Sequence, residues 1–189
     1  MEDFIGRYEC TNELCDRLIV FYNEHKQYHT SGIIGSNYKD PDFKESTDLM
    51  IHRENAQIPV IEEYLNHLQK CVEDYMKTYP YLKKLYKFGL LEPFIIQHYK
   101  VGGGFKKDHC ERVGTFDFTI KRVLVFMTYL NDVSDGGTHF TCYNSVEKAE
   151  KGKTIIFPAD WTHTHRGQIS NTQEKTIATG WLSHEWDAI

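Results

Sequence analysis

This sequence is short of most features that would classify it at once. Its five cysteines, at positions 10, 15, 71, 110 and 142, are odd in number and include no Cys-x-x-Cys pair. Such a set suits neither a disulfide framework nor a structural zinc cluster. No apolar run approaches the roughly 20 residues of a membrane-spanning helix. The opening stretch, MEDFIGRYEC, is acidic and has no apolar run of the signal-peptide kind. A reduced, soluble, cytoplasmic protein with no membrane partner is the expectation. Basic side chains number 22 against 27 acidic ones and do not cluster, so no nucleic-acid partner is expected. No Gly-x-Ser-x-Gly elbow points to a serine hydrolase. The glycine triplet at 102 to 104 is followed by neither GKS nor GKT, which excludes a phosphate loop. A turn, or a close backbone approach, is its expected use.

What is present fits one sizeable domain of 189 residues. Residues 1–90 read as a helical support region and 91–189 as a β-rich core. The early chain suggests a short strand, then a helix capped at Thr11 or Asn12 with Leu14, Leu18, Ile19 and Tyr22 on one face. Residues 28–47 are polar and rich in glycine, asparagine and aspartate, as a surface loop would be. The stretch STDLMIH reads as a strand, and a second helix starts near Pro59 with an apolar stripe from Ile61 to Met76. From PFIIQHYK onward the chain turns β-branched and aromatic, with frequent turn signals. Strands are expected at 93–100, 104–111, 115–120, 122–131, 137–143, 153–158, 162–167 and 176–185. The fold class is mainly β, a jelly roll (double-stranded β-helix) with N-terminal helices buttressing one sheet.

The chemistry starts in KVGGGFKKDHCERVG, residues 100 to 114. On an extended segment His109 and Glu111 project to one side and Cys110 to the other. That opposite projection argues against Cys110 as a nucleophile between two ligands. One imidazole and one carboxylate are two thirds of the facial triad that leaves positions open on iron(II). A second histidine is needed, and IIFPADWTHTHRG offers both His163 and His165, again two apart. Periodicity does not choose between them. His139, in GGTHF, reads as structural, and Trp161 and Trp181 as core or pocket wall.

Three stretches together, Y-x-x-G-x-x-F…H-x-E, TYLND…GGTHF and IIFPADWTHTHRG…K…W, resemble the 2-oxoglutarate- and iron(II)-dependent dioxygenases, in their prolyl 4-hydroxylase-like branch. The likeness covers roughly residues 90 to 186. It implies a double-stranded β-helix, iron(II) as metal, 2-oxoglutarate and dioxygen as co-substrates, and ascorbate as an optional accessory. In that family a basic residue ten positions after the distal histidine pairs with the far carboxylate of 2-oxoglutarate. Lys175 lies ten after His165 and twelve after His163, so the resemblance implies His109, Glu111 and His165 as metal ligands. It also implies Lys175, Tyr129 and Tyr99 as co-substrate contacts. Glutamate stands where the family more usually has aspartate. The implied reaction hydroxylates an unactivated C–H bond and releases succinate and carbon dioxide. A prolyl residue of a peptide or protein is the implied substrate. A free amino acid or other small molecule is the alternative, and a cupin-like iron dioxygenase without keto acid a further one. The N-terminal helices and residues 28–47 are candidates for a substrate lid.

Overall fold

The computed structural model describes residues 2–32, 39–85, 87–114 and 118–185. Strand β1 (Gly6–Glu9) leads into helix α1 (Asn12–Glu24), which Thr11 caps by accepting a hydrogen bond from the Leu14 N–H at 3.2 Å. Short strands β2 (Thr30–Ser31) and β3 (Lys44–Glu45) precede β4 (Thr47–Ile51). Helix α2 (Pro59–Thr78) begins on its proline. Then come β5 (Phe88–Gly89), β6 (Phe94–Tyr99), β7 (Gly104–Phe105), β8 (Arg122–Tyr129) and β9 (Val133–Phe140). Strands β10 (Ser145–Ala149), β11 (Lys153–Pro158), β12 (His165–Gly167) and β13 (Lys175–His184) complete the order.

Every pairing among the described residues is antiparallel. The major sheet runs β1-β11-β8-β13-β6-β4-β2, with β5 also on β13, and the smaller sheet runs β10-β9-β12. Strands β3 and β7 form a separate two-stranded ribbon. This is the expected jelly roll.

Side-chain alternation along the long strands builds two cores. On β8, Leu124 and Phe126 join Leu14, Leu18, Ile61, Tyr64 and Leu68 of the helices, while Val125, Met127 and Tyr129 face Phe140 and Val133 of the small sheet. The same period on β13 sends Ala178 and Leu182 toward the helices and Ile177 inward. Lys175 and Trp181 share the parity of Ile177. Thus α1 and α2 buttress the outer face of the major sheet, and its inner face meets the small sheet. The helices therefore do not form a lid over the inner face. Of residues 28–47, 33–38 lie outside the described residues.

Several strands differ from the sequence reading. Only Gly104–Phe105 of the expected 104–111 strand is regular. Residues 118–121 form a 3₁₀ turn rather than the end of a strand, and 115–117 lie outside the described residues. Trp161–His163 is likewise a 3₁₀ turn, closed by the His163 N–H on the Asp160 carbonyl at 2.9 Å, so β12 begins only at His165. Strand β10 was not expected, because its sequence SVEKA lacks a β-branched or aromatic run. The glycine triplet does turn the chain: Gly102 has φ +83°, and a Cβ on Gly103 would lie 3.0 Å from the Glu45 carbonyl oxygen.

A buried ion pair ties the ribbon to the major sheet. The Lys44 ammonium lies 2.8 Å from Asp48 Oδ2, whose other oxygen accepts from the Ser46 hydroxyl at 2.7 Å. Removing one partner of such a pair strands the other charge in the interior. Asp48→Ala is expected to lower unfolding stability by about 3–5 kcal/mol in a urea titration, whereas the paired change Asp48→Leu with Lys44→Met recovers most of that loss.

Candidate metal centre

His109 reaches the interior through backbone pairing although it lies outside any regular strand. Its N–H donates to the His165 carbonyl and the His165 N–H donates back, each at 2.9 Å, an isolated antiparallel bridge. Beyond it, the N–H groups of Glu111 and Arg112 both donate to the Ala159 carbonyl, at 3.1 and 2.9 Å. These bonds turn 109–112 along the rim of the small sheet and bring Glu111 against both imidazoles. Glu111 Oε1 stands 3.4 Å from His109 Nε2 and 3.7 Å from His165 Nε2. One ligand atom from each of the three residues can be chosen so that all lie within 4.8 Å of one another.

Both rings are oriented from behind. His109 Nδ1 donates to the Lys107 carbonyl at 3.0 Å and His165 Nδ1 to the His163 carbonyl at 2.8 Å. A carbonyl only accepts, so each Nδ1 carries the hydrogen and each Nε2 presents its lone pair to the gap. Phe105 covers His109 in a near-parallel stack, with centroids 3.6 Å apart. Burial, aided by the neighbouring His109, pulls His165 down to about 4, so it is neutral at pH 7. Burial works against the Glu111 charge, yet at the low pH where it titrates, protonated His109 and His165, with Arg122 beside them, outweigh it. Its carboxyl is held at about 2. Two imidazoles and one carboxylate are a donor set suited to a divalent first-row metal with open positions.

On β13, Lys175 is only 5% exposed, and its ammonium donates to the carbonyls of Gly136 and Gln168 at 2.7 and 3.0 Å. Among the described residues no carboxylate pairs with it. Burial depresses it to about 8, partly opposed by Asp135. It lies 5.4 Å from the centre of the Tyr99 ring. The Tyr99 hydroxyl turns elsewhere, donating to Gln97 Oε1 at 2.5 Å, and the Tyr129 hydroxyl donates to Thr138 Oγ1 at 2.7 Å.

Residues 94–183 match the profile of the 2OG-Fe(II) oxygenase superfamily. The chain carries an oxygenase domain of that superfamily. It is a 2-oxoglutarate-dependent dioxygenase, a class that works with iron(II) and 2-oxoglutarate. Its fold is that of solved prolyl hydroxylases. The viral collagen prolyl hydroxylase of Paramecium Bursaria Chlorella virus-1, a 2-oxoglutarate complex, superposes with a TM-score of 0.72 at 19% identity, over 96% of this chain and 97% of that one. A Pseudomonas putida prolyl-4-hydroxylase gives 0.69 at 13% identity, covering 96% and 92%. A Trichoplax adhaerens prolyl hydroxylase, solved with a peptide fragment of the hypoxia-inducible factor oxygen degradation domain, gives 0.71 at 14%, covering 94% and 83%. At such identities these are likenesses of fold. No curated protein matches by sequence. No helix among the described residues is long and apolar enough to cross a membrane.

Within this oxygenase domain His163 takes no part in the cluster. Its Nε2 donates to the Asp3 carbonyl at 2.9 Å, and its Nδ1 accepts from the Thr162 hydroxyl at 3.0 Å. The 3₁₀ turn before β12 separates the two histidines that an extended chain would have placed together. Sequence reasoning missed Arg122, whose guanidinium reaches Glu111, and Phe105. It left Trp181 as wall, although its indole N–H donates to Glu111 Oε2 at 2.9 Å. Cys110 points its thiol at the Arg112 carbonyl, 3.7 Å away, and burial next to Glu111 pushes its pKa up. Iodoacetamide at neutral pH is expected to alkylate the exposed Cys142 well before Cys110, as read by peptide mass spectrometry. Faster labelling of Cys110 would revive it as a nucleophile.

Proposed function

We propose that this chain hydroxylates a prolyl residue of a peptide or protein, with His109, Glu111 and His165 holding iron(II) and Lys175 anchoring 2-oxoglutarate. Two features carry the reading: a convergent cluster of possible metal ligands and a buried ammonium with no counter-charge among the described residues. Two imidazole nitrogens and a carboxylate oxygen converge at the one, and the Lys175 ammonium has only carbonyls for company at the other. A buried cation without a counter-charge is costly, and the far carboxylate of a keto acid supplies that charge. Bound iron(II) with 2-oxoglutarate and dioxygen supplies the oxidising power: the keto acid leaves as succinate and carbon dioxide, one oxygen atom entering succinate and the other the substrate C–H bond.

The protein's share is orientation. His109 and His165 offer lone pairs fixed by their Nδ1 bonds. Lys175 donates to the carboxylate, and Tyr129, whose present acceptor is a neutral threonine hydroxyl, turns the same hydrogen to it. Tyr99 walls the site with its ring. Ascorbate, as an optional reductant, belongs to the same reading. The peptide substrate is supported by the fold shared with prolyl hydroxylases, one of them solved with a peptide fragment. Residues 1–90 and 91–189 act as one domain in this reading.

Anaerobic titration with iron(II) and 2-oxoglutarate is expected to raise the weak visible charge-transfer band of a chelated keto acid. The band persists in His163→Asn, weakens at least tenfold in keto-acid affinity in Lys175→Ala, and vanishes in His165→Ala. Iron binding without any band in the wild type would favour the cupin-like alternative. A gain of one oxygen on a proline-containing peptide, absent with free proline, would fix the substrate class.

The same lysine predicts a pH dependence. Its ammonium is needed for the carboxylate, and burial holds it at about 8. Affinity for 2-oxoglutarate is therefore full below that pH and falls as pH rises through it, while binding above pH 8 takes up a proton. Calorimetry at pH 7 and 9 in buffers of different ionisation enthalpy measures both. A flat profile would remove Lys175 from the role.

A further inference from the structure

Glu111 is gripped by one oxygen only. Its Oε2 accepts from the Trp181 indole N–H at 2.9 Å and from Arg122 Nη1 at 3.2 Å, while Oε1 faces the two imidazoles. Arg122 is itself fixed. Its Nε lies 2.9 and 3.2 Å from the two oxygens of Glu92, and its Nη2 2.5 Å from Oε2. The guanidinium carbon sits 3.6 Å from the centre of the Trp181 ring. Glu92 is buried and accepts from the Ser183 hydroxyl at 3.0 Å. One cation thus lies between two carboxylates and on an aromatic face, a fully partnered arrangement.

A backbone irregularity makes the grip possible. Pairing of β8 with β13 runs in register from Tyr129↔Ile177 to Leu124↔Leu182, then Ser183 opposes Arg122 instead of Val123. The extra residue reverses the alternation. Val123 joins the helix-side core, and Arg122 turns to the inner face it would otherwise leave.

We propose that Arg122 and Trp181 are positioning residues that hold the Glu111 arm by its outer oxygen, so that the pocket is built to the length of a glutamate. The proposal rests on Glu111 being a metal ligand. With Oε2 committed to two donors, Oε1 alone is presented to the metal, and the arm has no freedom to swing. An aspartate would withdraw the carboxylate by roughly one carbon–carbon bond, about 1.5 Å. It could then keep the Trp181 and Arg122 bonds or reach the metal, not both.

The test is manganese(II) affinity of the full chain, read from the electron paramagnetic resonance of the free ion, without turnover. Trp181→Phe keeps a ring under Arg122 and removes only the N–H; it is expected to weaken manganese binding roughly tenfold or more. The urea midpoint of the metal-free protein should stay where it was. Glu111→Asp should weaken binding by a similar factor in the wild type and add little in the Trp181→Phe background, since the grip it conflicts with is already loosened. Wild-type affinity in either single variant, or full additivity in the double, overturns the grip while leaving the metal site standing. A wild type that takes up no manganese overturns the metal-site reading and the grip with it.

Discussion

Two reciprocal backbone hydrogen bonds between His109 and His165 are the constraint on which the site depends. They join a stretch with no regular structure to the edge of β12, and so fix two rings whose sequence positions are far apart. Each ring then takes the carbonyl two residues before it, Lys107 for one and His163 for the other. The same local geometry is used twice, facing itself across the bridge. A single backbone hydrogen bond is worth only about 1 kcal/mol net, so the bridge adds little stability. What it adds is direction: two Nε2 lone pairs aimed at one gap, with Glu111 delivered to it by the bonds on Ala159.

The jelly roll divides its labour by face. Helix and sheet side chains build the apolar core on the outside of the major sheet, where burial supplies the stability. The inner face carries apolar residues as well, but also Lys175, Glu111 and the Arg122–Glu92 pair, with Lys44 and Asp48 beside them. Buried charges of this kind contribute little to stability even when paired. Their value here is positional, because each polar atom has a partner that fixes where it points. Lys175 is the exception: its carbonyl partners solvate it without neutralising it.

Much of this was legible in the sequence, because period-two and helical patterns report which face a residue occupies. Strand β11 lies at the expected 153–158, Pro59 opens α2, and Lys175 points inward from β13. His-x-Glu marked two of the three side chains that converge. Where the alternation breaks, the sequence is silent. His163 and His165 look equivalent until a 3₁₀ turn rotates one of them away. Arg122, at the start of a strand and next to Lys121, reads as an exposed cation, and only the bulge at Val123 sends it inward. The stretch after Phe105 reads as strand, yet it pairs at a single isolated bridge. No propensity encodes that, since its partners lie about 55 residues away in β12.

The ribbon of β3 and β7 gives the N-terminal half a part in the chemistry that its helices do not have. Lys44 pairs in register with Phe105, and the Phe105 ring lies flat on His109. Behind the ribbon, Asp48 holds the Lys44 ammonium, and Gln97 lies between Asp48 and the Tyr99 hydroxyl. The Tyr99 ring in turn flanks Lys175. A continuous line of contacts therefore runs from β4, through an ion pair and two aromatic rings, to both the histidine gap and the buried lysine. The glycines at 102 and 103 make the line possible, one by its positive φ and the other by leaving room for the Glu45 backbone. Residues before 90 thus do more than brace a sheet: they anchor the Phe105 ring that covers His109.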